Sequence, residues 1–502
     1  WISPVFPFSL HPTTPSCVTF RFASYYGDHM VLQKKPAGAV VWGYGEAGAN
    51  VTVSLSKDSK VIMKKMAQVE EHSGTWKVVL APTDHGGPYS VMAEQEEPKN
   101  LTLRDIYFGD VWLCSGQSNM EMTVSQIINA SKELSEAPLY PYVRVFTASL
   151  IQSEVELQDL AKIDLEWSIP TAENLGHGNF SYFSAVCWLF GRHLYETLRY
   201  PIGLVESSWG GSCIESWSSG RVLQECGLTG EASRFLLPTL LSGPKMPSVL
   251  WNAMIHPLLN MSLTGVIWYQ GEANALVNTD LYNCTFPALI ADWRRTFHAG
   301  SEGQTQSLFP FGFVQVTGSQ GTDHGDRNRC SEPTADYGYA PNKRMPNTFM
   351  AVAVDLCDEH SPYGSIHPRD KQNVAYRLHL GARAVAYGEK GLVFQGPYPT
   401  KVVVDGARGL INVTYGQELL LLLMHDRIFE VRSMGPCQWV PAPMVSASSH
   451  AVTLSSPGCR AAVTRLRYAW AEWPCEYRQC PLYNKHLLPA PPFVIDSALR
   501  TG

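Results

Sequence analysis

Between about Ile106 and Gly388 the chain repeats one pattern: a short apolar run, a loop, then a longer stretch compatible with a helix. The apolar runs are Asp110–Cys114, Ile202–Glu206, Gly265–Tyr269, Phe311–Val316 and Met350–Asp355. Runs that are almost unbroken, with no apolar–polar alternation, mark strands buried on both faces. The helical candidates are Ala185–Leu198, Leu281–Phe297 and Pro368–Tyr387. In the last of these, Val374, Leu378, Ala382 and Val385 fall on one face at helical spacing. Strands alternating with helices predict an α/β unit, a parallel sheet covered by helices on both sides. Ligands of such sheets sit at the carboxyl ends of the strands.

The flanking segments read differently. From about Phe20 to Leu103 short strand-like runs (Ala39–Trp42, Val51–Leu55, Trp76–Leu80) are separated by Gly and Pro turns, which predicts an antiparallel β-sandwich. After about Leu392 strand-like runs return at Lys401–Val404, Glu418–Met424, Ile428–Val431 and Ala461–Arg467, and the tail is rich in proline. The expected organisation is an extended arm at 1–19, a β-sandwich-like domain at 20–105, an α/β domain at 106–390 and a β-rich domain at 391–502.

Composition removes several functional classes. Lys plus Arg is 39 against 45 Asp plus Glu, a formal charge of −6, so nucleic acid is not the expected partner. With 45% hydrophobic and 17% charged residues the chain is expected to bury a large core. Its longest apolar run, Leu419 to Met424, is far short of the roughly 20 residues of a membrane span.

Twelve cysteines suit a large secreted enzyme, and four of them (Cys437, Cys459, Cys475, Cys480) lie in the tail, where crosslinks or zinc are the two readings. Asn-x-Ser/Thr sequons occur at Asn50, Asn100, Asn129, Asn179, Asn260, Asn283 and Asn412, and their spread favours N-linked glycans and a secretory route. The chain begins at Trp1, consistent with a signal peptide removed or not included.

Four segments place reactive groups just after a strand. The first runs from Val111 through Gly116-Gln-Ser-Asn-Met120. A serine at a strand-to-helix junction presents its hydroxyl and a free backbone N–H together, as acyl transfer requires, although a simple helix cap places it equally well. Met120 rules out the G-x-S-x-G elbow. The second, Glu206 to Cys213, holds Gly210 and Gly211, which admit close backbone approach to a ligand or simply make a turn. The third, Val266 to Asn274, brings Gln270, Glu272 and Asn274 out of an apolar strand, either as a site or as an exposed loop. The fourth runs from Asp355 through Asp358 and His360 to His367, where Pro368 predicts His367 as a helix cap. A base for the serine, a surface histidine, or a metal set made of Asp355, Asp358, His360 and His367 are its three readings.

Taken together, these segments resemble the SGNH hydrolase superfamily, with its serine in an early block and its histidine in a late one. More narrowly, Gly116-Gln-Ser-Asn-Met120, Trp268-Tyr-Gln-Gly-Glu272 and Ile366-His-Pro-x-x-Lys371 resemble its carbohydrate-acetylesterase branch. From Phe20-Arg-Phe-Ala-Ser24 through Arg467-Tyr-Ala-Trp470 and Cys475-x-x-x-x-Cys480 the chain is similar to the sialate O-acetylesterase family. The resemblance implies an SGNH-type parallel sheet and a lysosomal or secreted glycoprotein. Its implied activity is removal of O-acetyl groups, chiefly at the 9 position, from sialic acids and sialoglycans, with no cofactor and no metal.

By the same resemblance Ser118 is the nucleophile and His367 the general base, while the N–H of Ser118, Gly211, Gln270 and Asn274 form the oxyanion hole. The superfamily's acid precedes the histidine by two or three residues, but those positions here are Ser365 and Gly364. Glu272 is therefore the first choice for the third triad member, with Asp355 and Asp358 as alternatives. Arg329 is the candidate for the sialate carboxylate, with a solvated loop as the rival reading. A non-catalytic carbohydrate-binding glycoprotein and an esterase of lipid or thioester specificity are the alternative functions.

Overall fold

A computed structural model describes residues 19–95, 99–228, 243–275, 277–315, 334–335, 337–433, 438–456, 463–471, 473–496 and 500–501. The expected N-terminal arm and Arg329 lie outside these residues. The fold is mixed α/β, with strands at both ends of the chain.

One strand organises the whole: β1, Lys99–Gly116. Its first half pairs antiparallel with Gly86–Gln95 and its second half is the middle strand of a parallel sheet. On one side of β1 lie β4 (Ile202–Ser208), β2 (Val143–Ala148) and then β3 (Ile163–Ser168); on the other lie β5 (Gly265–Tyr269), β6 (Phe311–Gln315) and β7 (Thr348–Val352). All neighbours are parallel except β2 and β3. Early crossovers run to one side of β1 and later ones to the other, so the strand order reverses at its carboxyl end, the place where ligands of such sheets bind.

The apolar runs are unbroken because both faces of the sheet are covered. Trp112 and Cys114 of β1 point to a layer made by α2 (Ala185–Leu198) and α4 (Lys371–Val385), where Phe190, Val374 and Leu378 are fully buried. Val111 and Leu113 point the other way, toward Leu289, Trp293 and Phe297 of α3 (Tyr282–Gly300). A disulfide, Cys114–Cys187, ties β1 to α2, and Cys226–Cys284 holds a shorter helix, Gly220–Glu225, against α3.

Ahead of this sheet, Arg21–Phe22, Ala39–Tyr44 and Thr75–Leu80 form one antiparallel sheet, which packs in a shared core against Asn50–Lys57, Gly86–Gln95 and β1. The expected boundary between residues 105 and 106 falls inside β1. Behind it, the C-terminal strands form two main small sheets around Ile411, Val413, Phe429, Tyr468 and Phe493. Cys475 pairs with Cys480; Cys437 and Cys459 lie outside the described residues. No helix among the described residues is long and apolar enough to cross a membrane.

The last helix departs from expectation. It starts at Lys371, capped by Asp370, whose carboxylate accepts the Asn373 N–H. His367 is therefore no helix cap: its N–H donates to the Gly364 carbonyl, closing a turn ahead of the helix.

Candidate active site

Gly116 ends β1 with φ at +143°, and a Cβ there would sit 2.1 Å from the carbonyl oxygen of Tyr269 on β5. Only glycine fits that approach. The Gln117 N–H donates to the same carbonyl at 2.9 Å, which turns the chain off the sheet. Ser118 then opens α1 (Ser118–Glu121), half-buried, at the switch point. As the first helical residue it has no intrahelical partner for its N–H.

His367 meets it there. Its Nε2 lies 2.8 Å from Ser118 Oγ and its Nδ1 lies 2.7 Å from the Tyr363 carbonyl oxygen. A carbonyl can only accept, so Nδ1 carries the proton and Nε2 presents its lone pair to the serine hydroxyl. Burial, helped by the nearby Lys371 cation, holds the imidazole below its ordinary value despite the Tyr363 bond. Phe180 packs edge-on against the ring at 5.2 Å.

None of the three acids expected to serve this histidine hydrogen-bonds it, since its two ring nitrogens meet Tyr363 and Ser118. Glu272 Oε1 accepts from Asn119 Nδ2, which also donates to the Ile366 carbonyl at 2.9 Å. The Asn119 carbonyl oxygen accepts from Lys371 Nζ at 2.7 Å, so Asn119 links two buried charges. Burial raises the Glu272 carboxyl and lowers the Lys371 ammonium to about 7. Asp355 is held by both terminal nitrogens of Arg377 and by the Tyr483 hydroxyl. Asp358 pairs with Arg369 through two bonds of 2.6 and 3.1 Å. The turn after Tyr363 puts a backbone carbonyl where a carboxylate was expected, and each acid is taken by a nearer cation or amide.

The oxyanion expectation also changes. Gln270 Nε2 donates to the Ser212 carbonyl and to Asn274 Oδ1, while its Oε1 accepts from the Tyr282 hydroxyl. Asn274 Nδ2 donates to Glu215 and to the Val277 carbonyl, and its Oδ1 also accepts the Ile214 N–H. Both amides spend all their N–H groups inside the protein, on Ser212, Asn274, Glu215 and Val277, and have none left for a substrate. Gly211 is exposed with φ at +71°, and a Cβ on its neighbour Gly210 would lie 3.3 Å from Ser118 Cβ, so this turn lies against the serine.

Two acids that sequence reasoning left unassigned, Glu121 half-buried and Glu206 buried, sit beside it. Glu121, one helical turn after Ser118, accepts the Gly210 N–H at 2.7 Å, and burial raises its carboxyl to about 7. Glu206 bonds the Ser184 N–H and the Ser208 hydroxyl; burial, and then the charge of Glu121, keep it well above the carboxylate range. The i,i+3 spacing from Ser118 to Glu121 was the available signal, and it is too common to single out a partner.

The rival metal set does not assemble. Asp355, Asp358 and His367 each have other partners, and no trio of His, Cys, Asp and Glu converges among the described residues. Of the sequons, Asn50, Asn100, Asn129, Asn179 and Asn412 are exposed, whereas Asn260 and Asn283 are half-buried.

A serine–histidine pair at the switch point of a parallel sheet, in a chain with β units at both ends, places the protein among the carbohydrate esterases, and the comparisons agree. Residues 108–356 match the family described as carbohydrate esterase, sialic acid-specific acetylesterase, and residues 400–497 match the sialate O-acetylesterase C-terminal domain. The chain is 57% identical over 500 residues to the sialate O-acetylesterase of Homo sapiens, covering 98% of this chain and 95% of that one. It is 56% identical over 516 residues to that of Mus musculus, covering 96% and 95%. A crystal structure of a carbohydrate acetylesterase from Xanthomonas citri superposes with a TM-score of 0.77 at 29% identity, over 95% of this chain and 99% of that one. The chain belongs to the sialate O-acetylesterase family.

Proposed function

We propose that the protein hydrolyses O-acetyl esters of sialic acids, chiefly at the 9 position, through an acetyl-enzyme on Ser118 of an SGNH-type domain. The contact between Ser118 Oγ and His367 Nε2, in a chain of this family, is the observation that carries the reading. In the first step the hydroxyl oxygen attacks the acetyl carbonyl while Nε2 takes its proton. The oxyanion is received by the N–H groups of Ser118 and Gly211. The imidazolium then protonates the departing sugar hydroxyl. Water, deprotonated by the same nitrogen, attacks the acetyl-enzyme and releases acetate. No step calls on a cofactor or a metal. The terminal hydroxymethyl of the glycerol chain reaches a half-buried serine with the least insertion of the sugar ring, which supports the preference for position 9.

A secretory, lysosomal or extracellular location is part of the same reading. Disulfides such as Cys226–Cys284 and five exposed sequons support it. The same reading divides the chain into an arm, a sandwich, a catalytic domain and a C-terminal β unit and places N-linked glycans on exposed sequons.

Acetate release from 9-O-acetylated sialic acid tests the proposal. Wild-type protein should release acetate, and Ser118→Ala should lower kcat by roughly 10⁴–10⁶-fold while folding normally. A binding protein without catalysis would leave acetate bound in both. A preference for octanoyl over acetyl nitrophenyl esters would instead indicate lipid or thioester specificity.

A further inference from the structure

Beside the catalytic loop the fold leaves a cavity of about 730 Å³, walled by the central domain on one side and the C-terminal β unit on the other. That volume is in the range of small-molecule sites, and neither Ser118 nor His367 lines it. Its central wall includes the Asp358–Arg369 ion pair. The same pair closes the loop that carries His367, since Arg369 is two residues further on and the Ser361 hydroxyl donates to the His367 carbonyl across the loop at 2.7 Å. The cavity and the catalytic imidazole are therefore two sides of one loop.

The opposite wall carries aromatic faces. Trp470, Trp473 and Tyr477 all line the cavity. Most tryptophans among the described residues are buried, eight of them fully, whereas Trp473 is 39% exposed and Tyr477 43%. Large aromatic surface left open beside a concave site signals a ligand. The wall is also fixed in place: Cys475–Cys480 closes the loop, the Tyr477 hydroxyl donates to Asp370 at 2.6 Å, and the Arg478 N–H donates to the Asp355 carbonyl at 2.7 Å. Arg427, exposed on the cavity rim, pairs with no carboxylate among the described residues and adds hydrogen-bond donors.

We propose that this cavity is a glycan subsite that holds the sugars carrying the acetylated residue, stacked on Trp473 and Trp470 and hydrogen-bonded by Arg427. The inference rests on the esterase reading above and extends it from a monosaccharide to the oligosaccharide behind it. Aromatic faces flanked by a donor, Arg427, and by acceptors, Glu359 and Glu476, suit pyranose rings, which have apolar C–H faces and hydroxyl edges that donate and accept. A flat lipid surface or a peptide strand would ask for a more continuous apolar or backbone-pairing wall.

The test compares wild type with Trp473→Ala and Arg427→Ala, both changed at exposed positions. Kinetics are measured on free 9-O-acetylated sialic acid and on 9-O-acetylated sialyllactose, and binding of non-acetylated sialyllactose is followed by tryptophan fluorescence. The proposal expects unchanged kinetics on the free sugar in both variants. On the trisaccharide, KM should rise about tenfold with kcat preserved, and the Trp473→Ala fluorescence response should vanish. Equal KM values for both substrates in all three proteins would overturn the subsite. If wild type releases acetate from neither substrate, the esterase reading itself fails; if it acts on the free sugar and the trisaccharide gains nothing, only the subsite fails.

Discussion

His367 turns its Nδ1 to the backbone carbonyl of Tyr363, 2.7 Å away, and so is oriented by the chain that carries it and not by a side-chain carboxylate. A carbonyl fixes the tautomer as well as a carboxylate does, but it brings no negative charge to steady the imidazolium.

This ranks the acids. Glu272→Gln replaces a carboxyl that burial already pushes toward its neutral form, and the amide oxygen still accepts from Asn119. We expect kcat for Glu272→Gln, Asp355→Asn and Asp358→Asn to stay within about tenfold of wild type, whereas losing a triad acid costs about 10⁴-fold. His367→Ala should be as inactive as Ser118→Ala. Steady-state acetate release decides, and a Glu272→Gln enzyme slowed by thousands would restore the carboxylate.

The pH profile follows from the same ring. In the role proposed for it His367 works when neutral, and burial with the Lys371 cation holds its value below 6.5. Activity should therefore persist into mildly acidic solution and fall only as pH drops through that lowered value. Lys371→Met removes one of the two depressing influences, so the acid limb of kcat/KM should move upward. A wild-type limb above 6.5 would contradict the placement.

How much of this was legible beforehand differs by level. The strands and helices of the central sheet announced themselves, because burial on both faces forces unbroken apolar runs; Gly265–Tyr269 and Ala185–Leu198 match residue for residue. The resemblance also put Ser118 and His367 together, 249 positions apart. The acid was not legible. Which oxygen meets Nδ1 depends on the five-residue stretch from Tyr363 to His367, and no side-chain pattern reports where a carbonyl points. Gln270 and Asn274 failed for a related reason: their position at a strand end was evident, but their N–H groups are taken by Ser212, Glu215 and Val277, which sequence spacing does not show.

Asn274 accordingly has a structural task. Asn274→Ala leaves Glu215 Oε2, the Ile214 N–H and one Gln270 N–H short of a partner. We expect a loss of about 2–4 kcal/mol of stability in chemical denaturation. At temperatures where the variant is folded, kcat should fall less than the roughly 10²–10³-fold of a lost oxyanion donor. A large kcat defect in a fully stable protein would return Asn274 to the oxyanion hole.

Glu121 couples stability to pH in a defined direction. Its folded value is raised from 4.5 to about 7 by burial, with Glu206 facing it and only the Gly210 N–H opposing. Its contribution is complete below pH 4.5 and is lost as pH rises through 7. Glu121→Gln keeps an acceptor for Gly210 without the titration. The variant should match wild type near pH 4.5 and exceed it by about 3 kcal/mol at pH 8. Melting curves at the two pH values check this, and a variant less stable at pH 8 would refute it.

The eighteen residues of β1 give the molecule a single spine from Lys99 to Gly116, two residues before Ser118. An excised catalytic fragment starting at residue 106 would begin in mid-strand, with Gly86–Gln95 no longer alongside. The N-terminal sheets are thus no detachable accessory: swapping them between relatives would mean splicing a ladder, and a graft misaligned by one residue would turn every side chain leading to Ser118 to the opposite face.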